Sequence, residues 1–176
     1  MKRLDNLKLR VMAVIAVVMS LIAGTETTKA GGNNATFGVE AGYNSRYDTP
    51  IAGIFFNYDL DKHFRLGADA ELAFRHEDYD ALLLDVDAHF PFQINPKVEV
   101  FPLAGVSYSA WSHHLPDELE DLGDDVTERL SRFGINIGGG VGIRLTQTLK
   151  LNLQARYTIV EAKSGVRLTA GIGYIF

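Results

Sequence analysis

The sequence predicts an all-β fold, an eight-stranded antiparallel up-and-down barrel that crosses a membrane with its strands. Three observations lead there. Apolar residues recur at every second position in eight segments, and all charged residues within them lie on the opposite face. The connections alternate between tight turns and loops of variable length. Aromatic residues gather near both ends of the segments. Period two is the spacing of a strand whose two faces meet unlike surroundings.

The chain of 176 residues is a length for one domain. Its hydrophobic content of 47% excludes a disordered chain, and the absence of Cys excludes a disulfide scaffold, thiolate metal sites and a Cys nucleophile. The formal net charge of −5 lacks the basic footprint of a nucleic-acid binder. No cofactor is expected.

Residues 1–30 read as a signal peptide. Lys2, Arg3, Lys8 and Arg10 form a basic start, and Val11 to Ala23 are an apolar run. That run falls short of the about 20 residues a spanning helix needs, but fits the roughly 7–15 of a secretory core. Cleavage after Ala30 suits a small residue at that position, with Ala23 and Gly24 as alternatives. The leader carries five of the 17 basic and two of the 22 acidic residues. The mature chain, 31–176, then holds 12 basic and 20 acidic residues, a net charge of −8.

The first segment alternates Phe37, Val39, Ala41 and Tyr43 with Gly38, Glu40, Gly42 and Asn44, and the second carries Ala52, Ile54, Phe56 and Tyr58. The third sets Phe64, Leu66, Ala68, Ala70, Leu72 and Phe74 against Arg65, Asp69, Glu71 and Arg75. The fourth runs from Leu82 to Phe92 through Pro91, with Asp85, Asp87 and His89 on its polar face. The fifth runs from Val98 to Ala110, with Glu99 and Phe101 on the second face. The last three span Phe133 to Arg144, Leu149 to Ile159 and Val166 to Phe176.

Turns near Asp59–Lys62, Asn95–Lys97 and Thr146–Thr148 are uniformly tight. The other connections vary, and one is long, Ser112 to Glu128. Membrane barrels have short periplasmic turns and longer extracellular loops. Phe37, Tyr58, Phe64, Phe90, Phe92, Tyr174 and Phe176 lie near the turn ends. Tyr43, Phe74, Tyr108, Trp111 and Phe133 lie near the loop ends. Two such girdles around an aliphatic band suit a lipid-facing belt.

The last residues, Thr169, Gly171, Tyr174 and Phe176, follow a polar-x-Gly-x-x-aromatic-x-aromatic pattern. It resembles the C-terminal signal by which barrel-assembly machinery recognises bacterial outer-membrane proteins. With the leader and the strand pattern, the whole mature chain resembles the small eight-stranded outer-membrane barrels of the OmpA-transmembrane, OmpX and OmpW kind. These are the "outer membrane protein beta-barrel domain" or porin-like families of Gram-negative bacteria. The resemblance implies the bacterial outer membrane, contact with its lipid, and assembly through the C-terminal strand. It also implies a barrel without the peptidoglycan-binding domain of longer relatives.

Eight strands enclose just enough room for side chains, so a wide pore is not expected. Inward acids cluster on strands three to five (Asp69, Glu71, Asp85, Asp87, Glu99). Inward bases cluster on strands six to eight (Arg144, Lys150, Arg156, Arg167), with Arg65 on strand three. In a closed barrel these arcs face each other, and buried charges must pair. A cross-barrel network is expected, with Arg156 near Asp69, Glu71, Asp85 or Asp87. Inward glycines (Gly134, Gly138, Gly140, Gly142, Gly171, Gly173) are expected to make room for long Arg chains.

The expected function is a structural, adhesive or envelope-integrity role with a plugged interior. The alternative is a narrow channel or carrier for small apolar molecules, OmpW-like or lipocalin-like. Asp85, Asp87, His89 and Ser107 also invite a catalytic reading, since Asp–His pairs activate water or Ser. They point into a crowded mid-barrel, and no enzyme is expected. The segment 112–128 holds seven acids and no Lys or Arg, which suits a solvated loop foremost, or capture of a divalent cation or contact with an extracellular partner. One helical turn could form over Asp117 to Leu122.

A closed membrane barrel should change its mobility on a detergent gel when boiled, and should fractionate with the outer membrane. A soluble periplasmic chain with no shift would invert the inside-out assignment and favour the carrier.

Overall fold

A computed structural model of the chain describes residues 35–76, 79–113, 129–160 and 164–176. The leader expected over 1–30, the helical turn at 117–122 and most of the acidic segment lie outside the described residues. All described regular structure is β: β1 (Ala35–Asn44), β2 (Thr49–Asp59), β3 (Arg65–His76), β4 (Tyr79–His89), β5 (Phe92–Asn95), β6 (Val98–His113), β7 (Arg129–Arg144), β8 (Leu149–Ile159) and β9 (Gly165–Ile175).

Every pairing is antiparallel and joins sequence neighbours, apart from β4 with β6 and the seam between β1 and β9. The order β4-β3-β2-β1-β9-β8-β7-β6 closes on itself where β4 pairs β6. The sheet is therefore a closed eight-stranded barrel. Closure pairs both edges of each of the other eight strands, the condition for strands in a solvent that supplies no hydrogen bonds, and leaves only the short β5 paired on one side.

The ninth strand arises from a break in the expected fourth segment. Pro91 lacks an N–H to donate to a ladder. Pairing with β6 stops at His89↔Leu103 and resumes at Phe92↔Val100. The Phe90 N–H bridges the gap by donating to the Pro102 carbonyl at 3.0 Å. β4 and β5 together make one stave. β6 and β7 are longer than expected, so the segment between them shrinks to 114–128.

The tight turns are capped by their own side chains. Asp61 Oδ1 accepts from the His63 and Phe64 amides, and Asn95 Oδ1 accepts from those of Lys97 and Val98. Thr146 Oγ1 accepts from Thr148 and Leu149. These bonds hold short connections with Asp, Asn and Thr, the residues suited to them. At the opposite end Asp48 adopts a φ of 53°, and its carboxylate accepts from the Tyr43 hydroxyl. The first and last described residues meet at the turn end, where the Phe176 amide donates to the Ala35 carbonyl at 2.8 Å.

The two faces separate as the alternation predicts. Val39, Leu66, Val86, Val106, Ile135, Leu168 and Ile172 are exposed outward, while Arg65, Asp69, Asp85, Asp87, Arg156 and Arg167 are buried inside. Outward aromatics pair at both ends. Phe64 with Phe90 and Tyr174 with Phe176 stand near the turns, and Tyr108 with Phe133 near the loops, at centroid distances of 5.1–5.5 Å.

Several inward glycines serve a different purpose from the one expected. A Cβ at Gly38, Gly171 or Gly173 would lie 2.5, 2.7 or 2.9 Å from the Phe55 ring, and one at Gly140 would lie 2.5 Å from Phe101. Gly38, Gly140, Gly171 and Gly173 thus admit two flat rings rather than long Arg chains, whereas Gly142 faces the Lys150 and Glu99 stems. Phe55 and Phe101 are among the largest fully buried side chains.

Gly173→Leu should therefore destabilise the barrel by about 1–3 kcal/mol, the usual cost of overpacking. Urea unfolding, followed by the fraction of the heat-modifiable band, reads this out. In a Phe55→Ala background the same substitution should cost less, because the ring it strikes is gone.

Candidate functional site

The candidate site is the lumen itself, and period two builds it. Along β3 the inward series from the turn end is Arg65, Gly67, Asp69, Glu71 and Ala73. Along β4 from the loop end it is Ala81, Leu83, Asp85, Asp87 and His89. The register puts like charges side by side on the wall. Asp69 lies opposite Asp85 across β3 and β4, and Arg156 lies opposite Arg167 across β8 and β9. Like charges directly opposite on adjacent strands repel. The compensation comes across the lumen.

Arg156, 1% exposed, reaches from β8 to the far wall. Its Nη2 is 2.5 Å from Asp69 Oδ2, its Nε 3.3 Å from Asp87 Oδ2 and its Nη1 3.5 Å from Asp85 Oδ2. Gln154 Oε1 also accepts from its Nε and Nη2. Arg167 Nη1 is 2.6 Å from Glu71 Oε2, and its Nη2 is 2.7 Å from Asp85 Oδ2. Asn136 Nδ2 donates to Asp85 Oδ1 and Asp87 Oδ1 at 2.7 and 3.0 Å, and Thr158 Oγ1 donates to Asn136 Oδ1.

A second cluster lies toward the turns. Glu99 Oε1 meets Arg65 Nη1 and Lys150 Nζ, each at 2.6 Å, and Glu99 Oε2 accepts from Gln93 Nε2 at 3.1 Å. Arg65 Nε also pairs with Asp59. The Arg65 guanidinium lies 5.7 Å from the centroid of the Phe101 ring.

Of the ten charged residues expected inside, the structure brings nine into these two clusters. Arg144 is the exception. It is exposed at the end of β7 and joins neither cluster among the described residues. At the last residue of a strand, alternation no longer dictates burial. Asp59, Asn136, Gln154 and Gln93 were not anticipated. Asn136 and Gln154 sit on the inward face of their strands, so the period-two pattern could have found them. Glu40 is buried too, but makes no ion pair among the described residues.

The catalytic grouping does not assemble. His89 stacks on Phe101 with centroids 4.8 Å apart, and neither ring nitrogen takes a hydrogen bond among the described residues. Asp85 and Asp87 are engaged by Arg156, Arg167 and Asn136. Among the described residues no group of three or more His, Asp or Glu has the geometry to hold a metal ion.

Toward the loops, Ile51, Ala73, Ala81 and Leu83 form an apolar cluster with Tyr47 packed against it. Arg46 lies over the Tyr47 ring at 4.7 Å. Burial pushes the Tyr47 phenol up to about 12.

The C-terminal pattern falls on the closing strand. β9 pairs with both β1 and β8. Thr169 and Gly171 face the lumen, whereas Tyr174 and Phe176 face outward, 50% and 58% exposed.

The sequence matches the family described as "Outer membrane protein beta-barrel domain" over residues 11–176. The chain belongs to this family. Its members' setting is the bacterial outer membrane, and lipid meets the exposed apolar belt. No curated relative matches the sequence. Among solved structures, the N-terminal barrel domain of Pseudomonas aeruginosa OprF is similar, with a TM-score of 0.67 at 16% identity over 84% of this chain and 100% of that one. Ail of Yersinia pestis, the attachment invasion locus protein, has a TM-score of 0.60 at 14% identity over 84% and 100%. Ail is also known in complex with the heparin analogue sucrose octasulfate. Neisserial surface protein A has a TM-score of 0.59 at 17% identity over 82% and 96%. At such identities these likenesses speak for the fold of the family, not for a shared ligand.

Arg156→Ala should strip Asp69 and Asp87 of their arginine and leave Asp85 with Arg167 alone. Breaking a buried pair from one side costs about 3–5 kcal/mol. Arg144→Gln, outside the clusters, should stay within about 0.5 kcal/mol of the parent. Urea midpoints of the refolded variants in lipid vesicles separate the two.

Proposed function

We propose that this barrel is a non-conducting, non-catalytic anchor in the outer membrane, with a structural or adhesive role carried by its loop end. One observation carries the reading. Arg156 and Arg167 cross the lumen to four carboxylates and are themselves buried. The space an ion would need is taken up by the protein's own charges.

The loop end supports a surface role. The longest connection is there, and its acids give residues 112–128 a single sign of charge. Such a segment repels a polysulfate like the one bound to Ail, so a partner here would present cations. Assembly fits the same scheme. The Thr169–Phe176 pattern lies on the strand that closes the barrel, where assembly machinery would engage it, and its two aromatic rings stand on the outer face.

In planar lipid bilayers the folded chain should show no unitary conductance steps. Regular steps that change size in Asp85→Asn would sink this reading in favour of the narrow channel.

A further inference from the structure

The charges of the barrel are not evenly spread along its axis. The chain as a whole is acidic, with a formal net charge of −5. The turn end of the lumen is not. A cavity of about 190 Å³ opens there, lined by Gln93, Pro96, Lys97, Glu99, Gly142, Arg144 and Lys150. Three of these side chains are cationic and one is anionic.

Glu99 does not neutralise them all. Both its oxygens are taken, one by Arg65 and Lys150 and the other by Gln93. Arg65 and Lys150 are thereby balanced by Glu99 and Asp59. Lys97 and Arg144 remain as two charges with no ion-pair partner among the described residues, so the cavity has a net charge of +2.

These cations sit on ordered backbone. Asn95 Oδ1 holds the Lys97 turn through two amides. The Arg144 amide donates to the Lys97 carbonyl at 2.7 Å, which sets the two residues side by side on the rim. Gly142, opposite Glu99, keeps the wall low beside Glu99 and Lys150. A Cβ there would lie 2.6 Å from Lys150 Cε and 2.9 Å from Glu99 Cγ. Without it, the stem of the buried Lys150 lies along the wall and its ammonium reaches Glu99.

We propose that this cup binds a phosphate group, held by Lys97, Arg144 and the free donors of Lys150. A phosphate carries up to two negative charges and matches the unbalanced +2. A guanidinium presents paired donors to such an oxyanion, and an ammonium acts as a point charge. The cavity far exceeds the roughly 30 Å³ of one water in the liquid, so the anion enters with part of its hydration. The turn end is periplasmic by the rule that barrels place their short turns there. The phosphate is therefore either a free periplasmic ion or the headgroup of an inner-leaflet lipid. The proposal holds whether or not the lumen conducts.

The folded chain in dodecyl maltoside, a phosphate-free detergent, would be titrated with inorganic phosphate by calorimetry. Lipid retention from phosphatidylglycerol nanodiscs would be read by native mass spectrometry. The variants are Arg144→Gln, the double variant Lys97→Gln with Arg144→Gln, and Lys62→Gln, an exposed cation on a neighbouring turn outside the cup. A boiled-versus-unboiled gel confirms that each has folded. Saturable phosphate binding, weakened about tenfold or more in the double variant and less than about twofold in Lys62→Gln, supports the cup with a free ion. No phosphate binding, with phosphatidylglycerol kept by the parent and lost by the double variant, supports it with a headgroup. Neither ligand held, or equal losses in Lys62→Gln and the double variant, overturns it.

Discussion

Charge pairing across the lumen is the interaction on which the rest of this barrel depends. The wall alone is unfavourable, since Asp69 abuts Asp85 and Arg156 abuts Arg167 in the register. Each arc is tolerable only because the other faces it at ion-pair distance. A flat sheet of the same strands would leave both repulsions standing. Closing it converts them into attraction. Curvature, strand number and charge order thus form one constraint. A wider barrel would hold Arg156 out of reach of Asp69, and the charges would need water between them.

Packing around the ion pairs follows from that constraint. Eight strands leave little interior volume, so every large inward group needs a small one facing it. Phe55 takes its space from Gly38, Gly171 and Gly173, and Phe101 from Gly140. The Phe101 ring lies 5.7 Å from the Arg65 guanidinium and so covers the cluster nearer the turns. His89, stacked on Phe101, extends the same layer. Its neighbour Asp87, two residues away on the same face, belongs to the Arg156 cluster instead.

Much of this was legible in the sequence because a strand has only two faces, and lipid makes them chemically unlike. Leu66, Ala68 and Ala70 against Arg65, Asp69 and Glu71 settle which way β3 faces without any tertiary information. The acid and base arcs could also be read, because neighbouring segments in an up-and-down barrel are neighbours in space. What could not be read depended on distances across the lumen. The glycines announce that something large faces them, but period two does not say whether a ring or a guanidinium arrives. Arg144 keeps to the inward face but ends its strand at the exposed rim, where alternation runs on and burial and ion pairing stop. Pro91 marked the break in the fourth stave, yet the alternation ran through it, since β5 resumes the same ladder on β6.

The sequence distances of these pairs also say when they form. Asp69 and Arg156 are 87 residues apart, Glu71 and Arg167 are 96 apart, and Arg65 and Glu99 are 34 apart. Neighbouring hairpins such as β1–β2 or β8–β9 can pair without bringing any of these charges together. Only when β9 meets β1 do the two arcs come face to face. Until then the carboxylates of β3 and β4 and the guanidiniums of β8 and β9 need water. Closure of the seam and expulsion of water from the lumen are therefore one event. Contacts so distant in sequence form late, because loop closure comes before any gain from them. The half-assembled barrel has polar inner walls and cannot simply dissolve in lipid. That is a physical reason for the proposed assembly role of the Thr169–Phe176 pattern to fall on β9, the strand that makes the seam.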